Sequence, residues 1–199
     1  MSKTIIFLGS SVTYGSAAGG VSFADIICKR NGYEMVKEAV SGTTLVDDDD
    51  SSYVSRLKKM ETGKADLFVC QLSTNDATCG KPLGSISSET DMNSFDLHTI
   101  AGAMEFIIAY VKERWGCPIA FYTGTRYDSE AYAAMVELLK EIAQKWNVHV
   151  INLWEDSSLN AIGKADYERY MADPIHPTLE GYQKWWTPFM EKSIEKINF

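Results

Sequence analysis

The chain has 199 residues, 45% of them hydrophobic, enough for a packed core and most simply for one domain spanning 1–199. Its 19 Lys and Arg against 27 Asp and Glu leave a formal net charge of −8. That balance excludes the basic face of a nucleic-acid binder and disfavours electrostatic attachment to anionic lipid. No stretch reaches the roughly 18 apolar residues of a membrane span, and the first apolar segment is too short for a signal-peptide core. A cytoplasmic protein is the simplest expectation, a removed leader aside.

Five apolar runs read as buried parallel strands: Thr4–Leu8, Glu34–Val40, Ala65–Leu72, Pro118–Thr123 and Val148–Leu153. Runs such as Asp66-Leu-Phe-Val-Cys-Gln-Leu72 are continuously apolar, as expected of strands covered on both faces. The second run is the weakest, because Lys37 and Glu38 interrupt it. Helical patterns alternate with the strands. Val21–Asn31 ends at Gly32, and Ser52–Met60 carries Val54, Leu57 and Met60 at helical spacing. Asp96–Trp115 is closed by Gly116 and Pro118, and Ser129 caps a helix running to Trp146. A last helix starts near Thr178 and meets Pro188, which should kink or restart it. Strict alternation predicts a three-layer α/β/α sandwich around a five-stranded parallel sheet. Residues 81–96 form one long polar loop, either a lid or binding loop or a tolerated insertion.

The four cysteines, Cys28, Cys70, Cys79 and Cys117, include no C-x-x-C pair and read as structural thiols. His98 lies early in a helix and His149 in a strand, neither within a ligand pattern, and no metal site is expected. The acidic run Asp47–Asp50 lacks the spacing of a calcium loop and reads as a solvated helix entrance. Trp185 and Trp186 read as packing residues of the terminal helix ahead of a sugar-stacking platform.

Chemistry concentrates just past the strand ends. Ser10-Ser11 follows the first strand on a tight turn after Gly9, Ser41-Gly42-Thr43-Thr44 the second, and Ser73-Thr74-Asn75-Asp76 the third. Asp173-Pro-Ile-His176 precedes the last helix. In an open parallel sheet the carboxyl ends of the strands share one crevice, so these segments should converge. A serine, a histidine and a carboxylate are the minimum set for nucleophilic acyl transfer. The ordinary imidazole pKa of about 6.5 suits proton transfer near neutrality. Asp173 is placed to hold the imidazole of His176 in the right tautomer. Pro174 and Pro177 restrict the backbone around the pair.

The order and wording of these blocks resemble the SGNH hydrolase superfamily, the GDSL-type esterases and lipases. The Gly-Asp-Ser block of that family corresponds to Gly9-Ser10-Ser11, with Val12-Thr13-Tyr14-Gly15 continuing the match. The glycine block corresponds to Gly42, the Gly-x-Asn-Asp block to Ser73–Asp76, and the Asp-x-x-His block to Asp173–His176. Two positions depart from the pattern: Ser10 stands where the family usually has Asp, and Ser73 replaces a glycine.

The resemblance implies a flavodoxin-like fold and a catalytic Ser11, His176 and Asp173. It also implies an oxyanion hole of the Ser11 and Gly42 N–H groups with the Asn75 side-chain amide. Asp76 is expected to be mainly structural, and Ser10 is the minor alternative to Ser11. Tyr14, Arg126 and Tyr127 sit beside strand ends as possible pocket residues. No metal or organic cofactor is implied. The expected substrate is a small-molecule or carbohydrate ester, and the Gly-Ser-Ser wording leans towards O-acetyl groups. A short-chain lipase, thioesterase or acyltransferase would use the same residues, and a non-catalytic binding module on the same fold is the alternative from another class. The sequence carries no signal of oligomeric state.

Overall fold

A computed structural model describes residues 2–199. In chain order the elements are β1 (Thr4–Gly9), α1 (Ser11–Tyr14), α2 (Phe23–Asn31), β2 (Glu34–Ala39), α3 (Tyr53–Lys59), β3 (Leu67–Gln71) and α4 (Thr74–Thr78). There follow α5 (Ile100–Arg114), β4 (Ile119–Tyr122), α6 (Glu130–Trp146), β5 (His149–Ile151), α7 (Ser157–Asn160) and α8 (Lys164–Tyr170). The last helix comes in three pieces: α9 (Leu179–Gly181), a π-helical turn (Tyr182–Trp186) and α10 (Thr187–Ile194).

All pairings are parallel, in the order β2-β1-β3-β4-β5. This is the flavodoxin-like order, and its direction reverses between β1 and β3. Alternation along each strand divides the core into two layers. Ile6, Leu8, Phe68, Cys70, Ile119 and Phe121 face one layer, closed by α3, α5 and α6. Ile5, Phe7, Leu67, Val69, Ala120 and Tyr122 face the other, closed by α2 and the terminal helix. The strands flanked on both sides are apolar but for Thr4 and Gln71 because both faces are covered. The polar β2 survives because it is an edge strand. Its Lys37 ammonium meets the Asp25 carboxylate at 2.7 Å, and Glu38 meets Arg56 at 3.0 Å.

Several expectations shift for local reasons. His98 precedes α5 instead of lying within it, because the Thr99 hydroxyl caps that helix at Gly102 N–H. The acidic run is an exposed entrance to α3, as expected, except at Asp47, and part of it is engaged. Asp47 accepts from the Ser52 and Ser55 hydroxyls and pairs with Lys58, while Asp48 pairs with Lys81 and His98. Ser52 itself caps α3. Pro188 sits in the first turn of α10 and cannot donate to the preceding turn. The helix absorbs this by widening just before it, with Thr187 N–H reaching back to Tyr182 O. Trp186 is fully buried, and Trp185 stacks on Tyr170 and donates to Leu159 O.

The 81–96 segment is fastened down. The buried Glu105 carboxylate accepts from Ser87 N–H and pairs with Lys145, which also donates to Ser87 O and Glu89 O. Ile86, Met92 and Phe95 pack into the layer beneath α5 and α6. The four cysteines are free thiols, and burial and the Asp25 charge push Cys28 up to about 12. Among the described residues no helix is long and apolar enough to cross a membrane, and no cluster of metal-ligating side chains occurs.

Candidate active site

Gly9 ends β1 and has no room for a side chain, since a Cβ there would lie 1.8 Å from Thr13 Oγ1. This close approach lets the chain turn at once into α1 and lifts Ser11 to the first position of that helix. Gln71, buried in β3, braces the turn. Its Oε1 accepts from Ser10 N–H at 3.0 Å and from the Thr13 hydroxyl at 2.8 Å. Its Nε2 donates to Ser10 Oγ at 3.1 Å. From the far side, the Tyr182 hydroxyl donates to Val12 O at 2.6 Å. The two adjacent serines are thereby separated. Ser10 is fully buried and tied to Gln71, while Ser11 Oγ lies 2.8 Å from His176 Nε2.

The loop after α8 brings up the histidine. A bridge between Met171 and Pro177 and a bond from Ala172 N–H to His176 O close it into a tight turn. Asp173 serves the loop and the imidazole at once. Its Oδ1 accepts from Ile175 and His176 N–H at 2.8 and 2.9 Å, and its Oδ2 lies 2.7 Å from His176 Nδ1. Partial burial pushes the Asp173 carboxyl up. The hydrogen bonds from Ile175 N–H, the imidazole and His176 N–H outweigh it and hold the group below its ordinary 3.8. Asp173 is therefore ionised near neutrality. Its contribution to stability is present above the ordinary carboxylate range and is lost as pH falls through the depressed value. An ionised acceptor at Nδ1 fixes the proton there and leaves Nε2 free to accept from the Ser11 hydroxyl.

The remaining motif residues lie on the neighbouring strand-end loops, where Val40 N–H donates to Gly9 O and Asn75 Nδ2 to Thr43 O. Ser11 N–H heads a helix, where amides lack intrahelical partners. Gly42 has a φ of 82°, and a Cβ would meet nothing within 4 Å. The glycine is there for its left-handed backbone. Asn75 lies in the first turn of α4, and its Nδ2 donates to Thr43 O at 2.9 Å, leaving the second amide hydrogen. Ser73, the departure from the family glycine, caps α4 by accepting from Asn75 N–H and also donates to Thr43 O. Asp76 is fully buried, and burial raises its carboxyl above 3.8. It binds Leu45 and Val46 N–H at 2.8 and 3.2 Å, anchoring the loop that carries Gly42.

A narrow cleft lies next to this group, lined by sequence neighbours of the motif residues, Val12, Thr74, Pro174 and Ile175, together with Gly124, Thr125 and Tyr127, and with Gln71 and Tyr122 in its wall. Of the three pocket candidates only Tyr127 lines it, and burial pushes that phenol up to about 12, so it stays neutral. Arg126 instead lies over the Trp154 ring, and Tyr14 is exposed beside Gly20. Sequence reasoning missed Gln71, although a lone amide in an otherwise apolar strand is a readable signal. It also missed the bond from Tyr182.

A five-stranded parallel sheet in this order, with its polar motifs gathered beyond the strand ends, defines the flavodoxin-like α/β/α class. Within it the chain belongs to the GDSL-like lipase/acylhydrolase family, whose model matches residues 7–184, and the protein is accordingly a hydrolase. None of the curated proteins matches the sequence. Among solved structures, a protein from Lactobacillus plantarum superposes with a TM-score of 0.82 at 18% identity, covering 100% of both chains. A protein described as a GDSL-like lipase from Bacteroides ovatus gives a TM-score of 0.73 at 20% identity, over 99% of this chain and 100% of the other. A family two carbohydrate esterase from Clostridium thermocellum, solved with cellohexaose, gives 0.64 at 14% identity, over 98% of this chain and 65% of its own.

Proposed function

We propose that the protein is a serine esterase that hydrolyses carboxylic esters of short acyl groups through an acyl-enzyme, with O-acetyl groups on carbohydrates the leading substrate class. The observation that carries this is the unbroken relay from Ser11 Oγ through His176 to Asp173, at 2.8 and 2.7 Å. Ser11 Oγ attacks the ester carbonyl as His176 Nε2 takes its proton. The oxyanion of the tetrahedral intermediate is held by Ser11 N–H, Gly42 N–H and the free hydrogen of Asn75 Nδ2. The intermediate collapses with loss of the alcohol, which receives the proton from His176. Water then attacks the acyl-enzyme with His176 as base, releasing the acid and restoring Ser11.

Two features favour short acyl groups. The cleft beside the site, lined by Val12, Thr74, Pro174 and Ile175, is narrow. The 81–96 segment is fastened away, which leaves no evident long apolar lid. The carbohydrate preference rests on the Gly-Ser-Ser wording and on the fold shared with a carbohydrate esterase.

Activity against p-nitrophenyl esters is expected to fall steeply from acetate through butyrate to octanoate, with acetylated sugars also turned over. A maximum at octanoate would contradict the short-acyl assignment. Replacing Asn75 by Ala removes one oxyanion donor and should lower kcat by about 10²–10³-fold, or ~2.7–4 kcal/mol. Steady-state kinetics on the acetate ester check this, with circular dichroism showing that the variant is folded. Transfer of the acyl group to added alcohols in preference to water would mark an acyltransferase. Failure of the wild type to react with a fluorophosphonate would mark a binding module.

A further inference from the structure

Arg56 lies on α3, outside every motif that carries the chemistry, and is 8% exposed. All five of its N–H donors are used. Nε donates to Ser51 O at 2.8 Å, and Nη1 to Glu38 O at 2.9 Å and Glu38 Oε1 at 3.0 Å. Nη2 donates to Gly9 O at 2.8 Å and Thr43 Oγ1 at 3.1 Å. Gly9 stands two residues before Ser11, and Thr43 directly follows Gly42. The Thr43 carbonyl in turn accepts from Asn75 Nδ2 and Ser73 Oγ, while Thr43 Oγ1 donates to Val40 O at 2.7 Å.

One guanidinium thus joins two of the three segments that carry the proposed oxyanion donors, and the third is tied to it through the Thr43 carbonyl. Its one carboxylate partner, Glu38, is half-exposed, so desolvating the cation is only partly offset by charge pairing. An apolar side chain would hold α3 against the sheet without that cost. What only a planar fork with five donors supplies is a fixed spacing among several backbone oxygens.

We propose that Arg56 is a positioning residue that sets the distance between the Ser11 turn and the Gly42 loop, and so holds the oxyanion donors in register. This rests on the esterase reading of the same site. Arg56 touches no reacting atom. It acts through Gly9 O and Thr43 on groups whose misplacement by an ångström costs about 10²-fold in rate.

The test is Arg56→Lys, which keeps the charge and loses the fork. Its kcat and kcat/KM on p-nitrophenyl acetate should fall together by about 10–100-fold, with KM within about twofold, at a temperature where its melt shows it folded. A purely structural staple would lower Tm and leave kcat per folded molecule at the wild-type value, and that result overturns the proposal. Thr43→Val gives an independent arm, because it removes one Nη2 acceptor and leaves Arg56 in place. It should lower kcat by about 3–10-fold, the equivalent of one hydrogen bond. An unchanged kcat there overturns the proposal even if Arg56→Lys does not fold. Glu38→Gln keeps an acceptor oxygen and should leave kcat within about twofold. A wild type without esterase activity, or one whose activity survives Ser11→Ala, would defeat the esterase reading itself. An active, Ser11-dependent enzyme indifferent to Arg56 and Thr43 would defeat only this proposal.

Discussion

Replacing Ser11 with Ala is expected to lower kcat for p-nitrophenyl acetate by about 10⁴–10⁶-fold, the scale on which serine nucleophiles act with their base as one unit. Among the described residues the Ser11 hydroxyl is the only one within hydrogen-bond reach of His176 Nε2. Its removal deletes a single oxygen and one hydrogen bond, worth about 1 kcal/mol of stability, so the variant should melt near the wild type. Ser10→Ala is the matched comparison. The Ser10 hydroxyl faces Gln71 and not the imidazole. Its loss should slacken the turn and cost less than about tenfold in rate, consistent with one ordinary hydrogen bond. Comparable collapse of both variants would mean that the turn, and not a particular hydroxyl, is what the activity needs.

Asp173→Asn should lower kcat by about 10⁴-fold, the magnitude for losing the correct imidazole tautomer in a serine triad. An asparagine can still offer one oxygen to Ile175 and His176 N–H, so the loop that carries His176 keeps its hydrogen bonds. Its amide nitrogen would then face Nδ1 and force the imidazole proton to Nε2, where it cannot accept from Ser11. The loss is therefore predicted in kcat, with the melting temperature and circular dichroism close to wild type. Wild-type turnover in this variant would show that the half-exposed carboxylate beside His176 has no part in the chemistry. A large fall in melting temperature would show instead that its bonds to Ile175 and His176 N–H are its main work.

Much of this arrangement is written in the sequence. The strands flanked on both sides are legible because burial on both faces leaves continuous apolar runs, as in Leu67 to Cys70 of β3. Helix α6 is legible because Tyr132, Met135, Leu139 and Ile142 mark one face. The helices α7 and α8 escape notice for the converse reason. No residue of α8 is buried, so it has no apolar periodicity to read. The residues of the candidate site are legible as separate motifs, since each follows a strand or precedes a helix that the pattern reveals. Their supports are not. Arg56 occupies one turn of α3 beside Tyr53 and Leu57, and three of its acceptors are the backbone oxygens of Gly9, Glu38 and Ser51. A backbone carbonyl has no signature in sequence, so a side chain that works by gathering carbonyls is visible only once the fold has brought them together.

The central claim is that Ser11 is the nucleophile, and fluorophosphonate labelling followed by peptide sequencing in the mass spectrometer tests it most directly. The wild type should gain one adduct per chain, with fragment ions placing it on Ser11 and not on the adjacent Ser10. An adduct on Ser10 or at any other site, or no adduct in a protein that hydrolyses p-nitrophenyl acetate, would contradict it.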